Sequence, residues 1–154
     1  MAIHCALRAL QAATCFAVGF NMLVQFPSQR QSKILVLDDE PLIADSLAMI
    51  LIQSGYEARA AYNGSSAIVV AQSWRPDLLL ADIIMPGMNG VEAALEISSL
   101  VPECRLLFIS GDLSTADLLD GYRNRGHDFH ALCKPVPPAD LLIQISRAFA
   151  PLAP

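Results

Sequence analysis

The sequence LLLADIIMPGMNG at residues 78–90 joins an apolar run, an aspartate and a turn. Its first four residues suit a strand that is buried on both faces, as the strands of parallel sheets are. Its last five contain a proline, two glycines and an asparagine, which favour turns. Residues 91–100 then have helical periodicity. We therefore predict a buried strand at residues 78–81 that is followed by Asp82, a turn, and a helix.

The same unit, a short apolar run followed by a segment of helical period, recurs five times along the chain. Such alternation indicates a parallel sheet covered by helices. The run at residues 58–61 contains Arg59, so we place it at the edge of the sheet. The predicted strands span residues 34–37, 58–61, 78–81, 106–109 and 129–133, and the predicted helices span residues 41–53, 65–74, 91–100, 115–124 and 139–149.

Polar side chains follow four of these predicted strands. Asp38 and Asp39 follow the first, Asp82 the third, Ser110 the fourth and Lys134 the fifth. Ligands of open parallel sheets gather beyond the carboxyl ends of the strands. We therefore expect three carboxylates, a hydroxyl and an ammonium to converge at one edge of the sheet.

This combination of groups suits phosphoryl transfer. Clustered carboxylates repel one another, so they either protonate or bind a cation. Mg²⁺ prefers oxygen ligands, takes one or two carboxylates, and keeps waters that a phosphate oxygen can replace. An aspartate can act as the nucleophile and form an acyl phosphate, while Lys134 and Ser110 contact the equatorial oxygens. The residues thus favour a site at Asp82 with Mg²⁺ as the cofactor.

Four motifs together resemble the receiver domain of two-component response regulators. They are Leu37-Asp38-Asp39-Glu40-Pro41, ADIIMPGMNG at residues 81–90, Ile109-Ser110-Gly111 and Cys133-Lys134-Pro135. The likeness covers residues 33–149. It implies an α/β, flavodoxin-like, doubly wound five-stranded parallel sheet of order 2-1-3-4-5 with five helices. The strand order comes from the resemblance and not from the spacing.

The resemblance also implies a role for each site residue. Asp82 would be phosphorylated, Ser110 would move its hydroxyl toward the phosphoryl group, and Lys134 would pair with that group. The partners would be a sensor histidine kinase or phosphotransfer protein and a downstream effector protein. The implied metal ligands are Asp38, Asp39, Asp82 and the backbone carbonyl of Ile84.

The chain departs from the family in one place. Receivers commonly carry Tyr or Phe three residues before the lysine, and here that position is Ala131, preceded by Phe129 and His130. A methyl group has no rotamer to flip. We therefore expect the response to be carried by Ser110 and residues 111–115.

Each site residue also has a simpler interpretation. Asp39 could cap the next helix, Asp82 could form a turn, Ser110 could lie in an inert loop, and Lys134 could be a solvated charge. All five together are harder to explain this way. Two functional alternatives are a degenerate receiver that binds partners without phosphorylation and a phosphatase with an Asp nucleophile. The phosphatase pattern spaces its acids two residues apart on the first strand, whereas Asp38 and Asp39 are adjacent.

A flavin-binding flavodoxin would share the architecture. It would need hydroxyl and glycine donors after the first strand to hold a phosphate. Asp38, Asp39 and Glu40 occupy that place and would repel a phosphate that lacks a metal.

Composition limits the partners and the compartment. The chain has 154 residues, of which 54% are hydrophobic, and a formal net charge of -5. Its basic residues form no stripe, so we expect no direct nucleic-acid partner. Four scattered cysteines without zinc spacing suit a reducing cytoplasm, and we expect Cys104 and Cys133 to be buried, inert thiols.

Residues 1–32 differ from the rest of the chain. The segment 9–26 is mostly apolar but is interrupted by polar residues, and a polar linker follows it. A weak membrane anchor, an amphipathic helix that packs on a partner, and an extension with little structure remain three interpretations. We expect the receiver domain at residues 33–150 and a tail at residues 151–154. Since no output domain follows, we expect signalling by protein contact.

Overall fold

A computed structural model of the chain describes residues 30–111, 115–124 and 129–150. Within these ranges, strands and helices alternate along the chain. The strands are β1 (Lys33–Leu37), β2 (Glu57–Ala61), β3 (Leu78–Asp82), β4 (Arg105–Ser110) and β5 (Ala131–Cys133). The helices are α1 (Pro41–Gln53), α2 (Gly64–Trp74), α3 (Gly90–Leu100), α4 (Thr115–Arg123) and α5 (Pro138–Phe149).

The strands form one parallel sheet in the order β2-β1-β3-β4-β5. This confirms the predicted doubly wound architecture and places β2 at an edge. The burial of the strands agrees with this order. The central strands β1 and β3 are almost wholly buried, whereas the edge strand β2 alternates between exposed and partly buried residues up to Ala61. Arg59 marks the exposed character of β2, as expected for an edge strand.

Each face of the sheet has its own apolar core. On one face, α1 and α5 pack through small or branched residues such as Ala44, Ala48 and Leu141. On the other face, α2, α3 and α4 pack around Phe108 and Ile97. The sheet is therefore covered on both sides, and its carboxyl-terminal edge is left for polar residues.

Local signals fix where the helices begin. Asn63 caps α2 by accepting a hydrogen bond from the backbone N–H of Ser66 at 2.8 Å. Asn89 and Glu92 form a reciprocal capping box at the start of α3. α1 begins at Pro41, where a missing N–H leaves no helical bond unmade. These local features determine the first residues of α1, α2 and α3.

Two predictions from the sequence are wrong at β5. The strand begins at Ala131 and not at Phe129, because only the last three residues of β4 have partners in it. The Phe129 ring instead packs edge-on against Phe108, with centroids 5.1 Å apart. Cys133 is exposed because it ends this short outer strand. Cys104 is buried as predicted, just before β4, and burial raises the pKa of its thiol to about 12.

The predictions for residues 1–29 and for the tail at residues 151–154 lie outside the described residues. In the part of the chain that is described, none of the helices has the length and hydropathy needed to span a bilayer.

Candidate functional site

Three aspartates meet at the carboxyl-terminal edge of the sheet. Asp38 follows β1 directly, Asp39 comes next, and Asp82 ends β3. One carboxylate oxygen from each lies within 4.8 Å of the others. Asp38 is only 2% exposed, so its charge is largely shielded from water and depends on neighbouring groups. The predicted convergence of these acids is thus present.

Backbone hydrogen bonds orient two of the carboxylates. Asp38 Oδ1 accepts from the N–H of Glu40 at 2.9 Å, and Asp82 Oδ1 accepts from the N–H of Ile84 at 3.1 Å. Asp82 therefore does take part in its turn, but with one oxygen only. Asp39 is not a helix cap, because Glu40 holds the N-cap position of α1 and makes no side-chain cap bond.

Lys134 neutralises part of this acidic cluster. Its Nζ lies 3.0 Å from Asp38 Oδ2 and 2.5 Å from Asp82 Oδ2. Burial lowers the pKa of Lys134, but the hydrogen bonds to Asp82 and Asp38 outweigh that effect, so the pKa is raised above its ordinary value. Lys134 is therefore a protonated partner of the two aspartates at neutral pH and not a solvated surface charge.

The backbone of Lys134 is held as well as its side chain. Its N–H donates to the carbonyl oxygen of Ser110 at 2.7 Å, which joins the end of β4 to the end of β5. The peptide bond between Lys134 and Pro135 is cis. Ser110 itself is 5% exposed. The five residues predicted from strand ends thus occupy neighbouring strand ends of one sheet edge.

Thr115, which the sequence placed at the start of a predicted helix, is a direct neighbour of a site residue. Ser110 Oγ donates a hydrogen bond to Thr115 Oγ1 at 2.8 Å, and both residues are buried. Strand and helix periodicity predict the two elements but do not indicate that these two hydroxyl groups meet.

Gly90 is a second residue whose role the sequence did not indicate beyond a turn. A Cβ atom built on Gly90 would overlap the carbonyl oxygen of Asp82. The N–H of Gly90 donates to the carbonyl of Ile83 at 3.1 Å. Only glycine therefore lets α3 begin directly against the end of β3, where Asp82 is held.

The chemistry of the donor set fits a small divalent cation. Three carboxylates face one ammonium here, so negative charge is left in excess. Hard oxygen donors of this kind are the ligands that Mg²⁺ prefers. An acidic pocket of this kind is a general property of receiver domains.

Comparison with known proteins agrees with this geometry. The family model for the response regulator receiver domain matches residues 34–146. The chain is 31% identical over 117 residues to the DNA-binding response regulator MtrA of Mycolicibacterium smegmatis, covering 75% of this chain and 49% of that protein. It is 30% identical to Protein PilH of Pseudomonas aeruginosa, covering 77% of this chain and 98% of PilH. The chain thus spans about half the length of MtrA and nearly all of PilH.

Solved structures show the same likeness. The chemotaxis protein CheY4 of Vibrio cholerae superposes with a TM-score of 0.68 at 28% identity, covering 77% of this chain and 99% of that one. A CheY-like receiver domain protein from Methanospirillum hungatei gives a TM-score of 0.66 at 30% identity, covering 76% of this chain and 92% of that one. Sheet order, site geometry and sequence agree, and the chain belongs to the family of response regulator receiver domains.

Proposed function

We propose that this receiver domain accepts a phosphoryl group on Asp82 in a magnesium-dependent reaction and signals by protein contact. The observation that carries the proposal is the position of Asp82 Oδ2, which lies 2.5 Å from Lys134 Nζ beside two further aspartates. A carboxylate so placed lies beside a fixed counter-charge and beside two further acids that could hold a metal. That is the arrangement a phosphoryl group requires.

In the proposed reaction, an oxygen of the Asp82 carboxylate attacks the phosphorus of a phosphorylated histidine or a small acyl phosphate. A new O–P bond forms, and the bond to the donor breaks with its electron pair leaving on the donor. Lys134 stays protonated and pairs with an oxygen of the transferred group, and Ser110 donates a hydrogen bond to another. Mg²⁺, held by Asp38, Asp39, Asp82 and the backbone carbonyl of Ile84, would supply further neutralising charge.

Exposed apolar side chains flank this acidic edge and support a protein partner. Leu42 in the first turn of α1 is 83% exposed, and Ile84, two residues after Asp82, is 50% exposed. Met49 lies further along α1 and is also exposed. Exposed apolar side chains that form a patch with a polar rim mark interaction surfaces. The proposed partners are a sensor histidine kinase or phosphotransfer protein, and then an effector protein, all in the cytoplasm.

Phosphotransfer profiling tests the proposal. The purified protein is mixed with the phosphorylated histidine kinases of its own organism, and separately with a small acyl phosphate, with and without Mg²⁺. With Mg²⁺ present, intact-mass measurement should show one added phosphoryl group, and hydroxylamine should remove it. Without Mg²⁺, no phosphoryl group should be added. Asp82→Asn should abolish the label, while Asp140→Asn, an exposed aspartate of α5, should keep it.

Three outcomes would contradict the proposal in different ways. Labelling of Asp82→Asn at the wild-type level would place the acceptor elsewhere. Wild-type protein that binds a kinase but is never labelled would be a phosphorylation-independent interaction module. Sustained release of phosphate from many phosphomonoesters would indicate a phosphatase.

A further inference from the structure

A buried hydrogen bond joins the end of β4 to the start of α4. Ser110 is the last residue of β4 and Thr115 the first residue of α4. Ser110 Oγ donates to Thr115 Oγ1 at 2.8 Å, and the two residues are 5% and 6% exposed. At this exposure water competes poorly for either oxygen, so each hydroxyl depends on protein groups for its hydrogen bonds.

The proton in this bond is the one that a phosphoryl group would need. A serine hydroxyl carries a single hydrogen and donates it to one strong acceptor at a time. Phosphoryl oxygens accept hydrogen bonds and cannot donate them. Thr115 Oγ1 and a phosphoryl oxygen on Asp82 would therefore compete for the hydrogen of Ser110.

The charged acceptor should win this competition. Hydrogen bonds to ionised oxygens are about twice as strong as those between neutral groups. The exchange still costs the bond to Thr115, which stabilises the unphosphorylated arrangement. The net contribution of a neutral hydrogen bond is modest, so the cost is smaller than the gain from the charged acceptor.

We propose that Thr115 is a positioning residue that holds the Ser110 hydroxyl in the unphosphorylated protein and loses it when Asp82 carries a phosphoryl group. The inference rests on the proposed function, since it assumes that Asp82 is the acceptor. Because Thr115 begins α4, each exchange removes or restores a side-chain bond at the start of that helix. The phosphorylation state of Asp82 is thereby coupled to α4 through two hydroxyl groups.

The test measures binding of beryllofluoride, a phosphoryl mimic, in the presence of Mg²⁺ by titration with ¹⁹F NMR. The variants are Thr115→Val, which keeps the side-chain shape without the acceptor, and Thr115→Ser, which keeps the acceptor. Ser110→Ala and the double variant Ser110→Ala/Thr115→Val complete a double-mutant cycle. Thermal unfolding of each variant checks the fold, and Thr115→Ala replaces the valine variant if that one unfolds.

The expected result is a coupled effect. Thr115→Val should bind the mimic more tightly by about fivefold, the equivalent of ~1 kcal/mol, because no bond to Thr115 has to be broken. Thr115→Ser should match the wild type. In the Ser110→Ala background, Thr115→Val should change the affinity little, since the proton in question is gone.

Other results would overturn the inference. An affinity of Thr115→Val equal to or weaker than that of the wild type would show that the bond does not oppose the mimic. An equal gain in the Ser110→Ala background would show that Thr115 acts independently of Ser110. If the wild type gives no saturable response while it remains folded, the proposed function itself fails, and the inference fails with it.

Discussion

Lys134 Nζ lies 2.5 Å from Asp82 Oδ2 although 52 positions separate the two residues in the chain. Lys134 follows β5 and Asp82 ends β3, so β4 lies between them in the sheet. The lysine side chain therefore reaches across the end of β4. Since the same ammonium also contacts Asp38, a single positive charge ties the ends of β1, β3 and β5 together.

This ion pair should make stability depend on alkaline pH. Burial lowers the pKa of Lys134, but its bonds to Asp82 and Asp38 outweigh burial and raise the pKa above 10.5. A raised pKa in the folded state gives stability that is fully present below the unfolded pKa and is lost as pH rises through the folded value. Urea unfolding measures the free energy of unfolding of the wild type and of Lys134→Met. The difference between the two should be constant around neutral pH and should shrink above pH 10.5.

The Asp82→Asn background provides the control for this pH dependence. In that background the lysine keeps only Asp38 as a hydrogen-bonded carboxylate. The effect of Lys134→Met on the free energy of unfolding should therefore decrease less at high pH. An equally steep dependence in both backgrounds would mean that Asp82 is not the cause.

Mg²⁺ should stabilise the folded domain. Asp38, Asp39 and Asp82 are fixed near each other in the folded state and are separated in the unfolded chain, so a cation that binds all three favours folding. At a Mg²⁺ concentration tenfold above Kd the gain should be about 1.4 kcal/mol in the free energy of unfolding. Asp39→Asn should reduce this gain, whereas Asp140→Asn should retain it. A wild-type melting temperature that is indifferent to Mg²⁺ would count against the metal site.

The sequence was most informative where chemistry and strand ends coincide. β1, β3 and β4 each contain a continuous apolar run, and the polar residue that follows each run lies at the site. The bond between Ser110 and Thr115 was not predictable, because no sequence pattern indicates that a hydroxyl at the end of a strand pairs with one at the start of the next helix. The predicted start of β5 was wrong because Phe129 is apolar but does not pair in the sheet. Its ring packs against Phe108 instead.

Substitution of Gly90 should disturb the site through the backbone. A methyl group at this buried position would overlap the carbonyl oxygen of Asp82, so either α3 or the end of β3 must shift. Overpacking of this kind costs roughly 1–3 kcal/mol. Gly90→Ala should therefore lower the free energy of unfolding and slow the phosphorylation of Asp82. Gly121→Ala is the matched control, because Gly121 lies in α4 with nothing within 4 Å of an added Cβ, and it should be neutral or slightly stabilising.

The last prediction concerns how the domain responds to phosphorylation. Ala131 stands where receivers commonly have an aromatic ring, and the nearby Phe129 ring is packed against Phe108 and Tyr122 with centroids 5.1 and 6.1 Å away. A ring held on two sides by other rings is poorly placed to rotate. The response should therefore lie mainly at Ser110 and residues 111–115, of which residues 112–114 are outside the described part of the chain.

Hydrogen exchange with and without beryllofluoride and Mg²⁺ measures this response directly. Binding shifts a population only through contacts that differ between the two states. One contact that can differ is the hydroxyl bond between Ser110 and Thr115. Amide exchange at residues 110–115 should therefore change most, with a weaker change at residues 129–136. Phe129→Leu should leave that pattern in place, because the ring is not the moving part. Large changes at residues 129–136 with little at residues 110–115, lost in Phe129→Leu, would instead identify Phe129 as the ring that replaces the missing one.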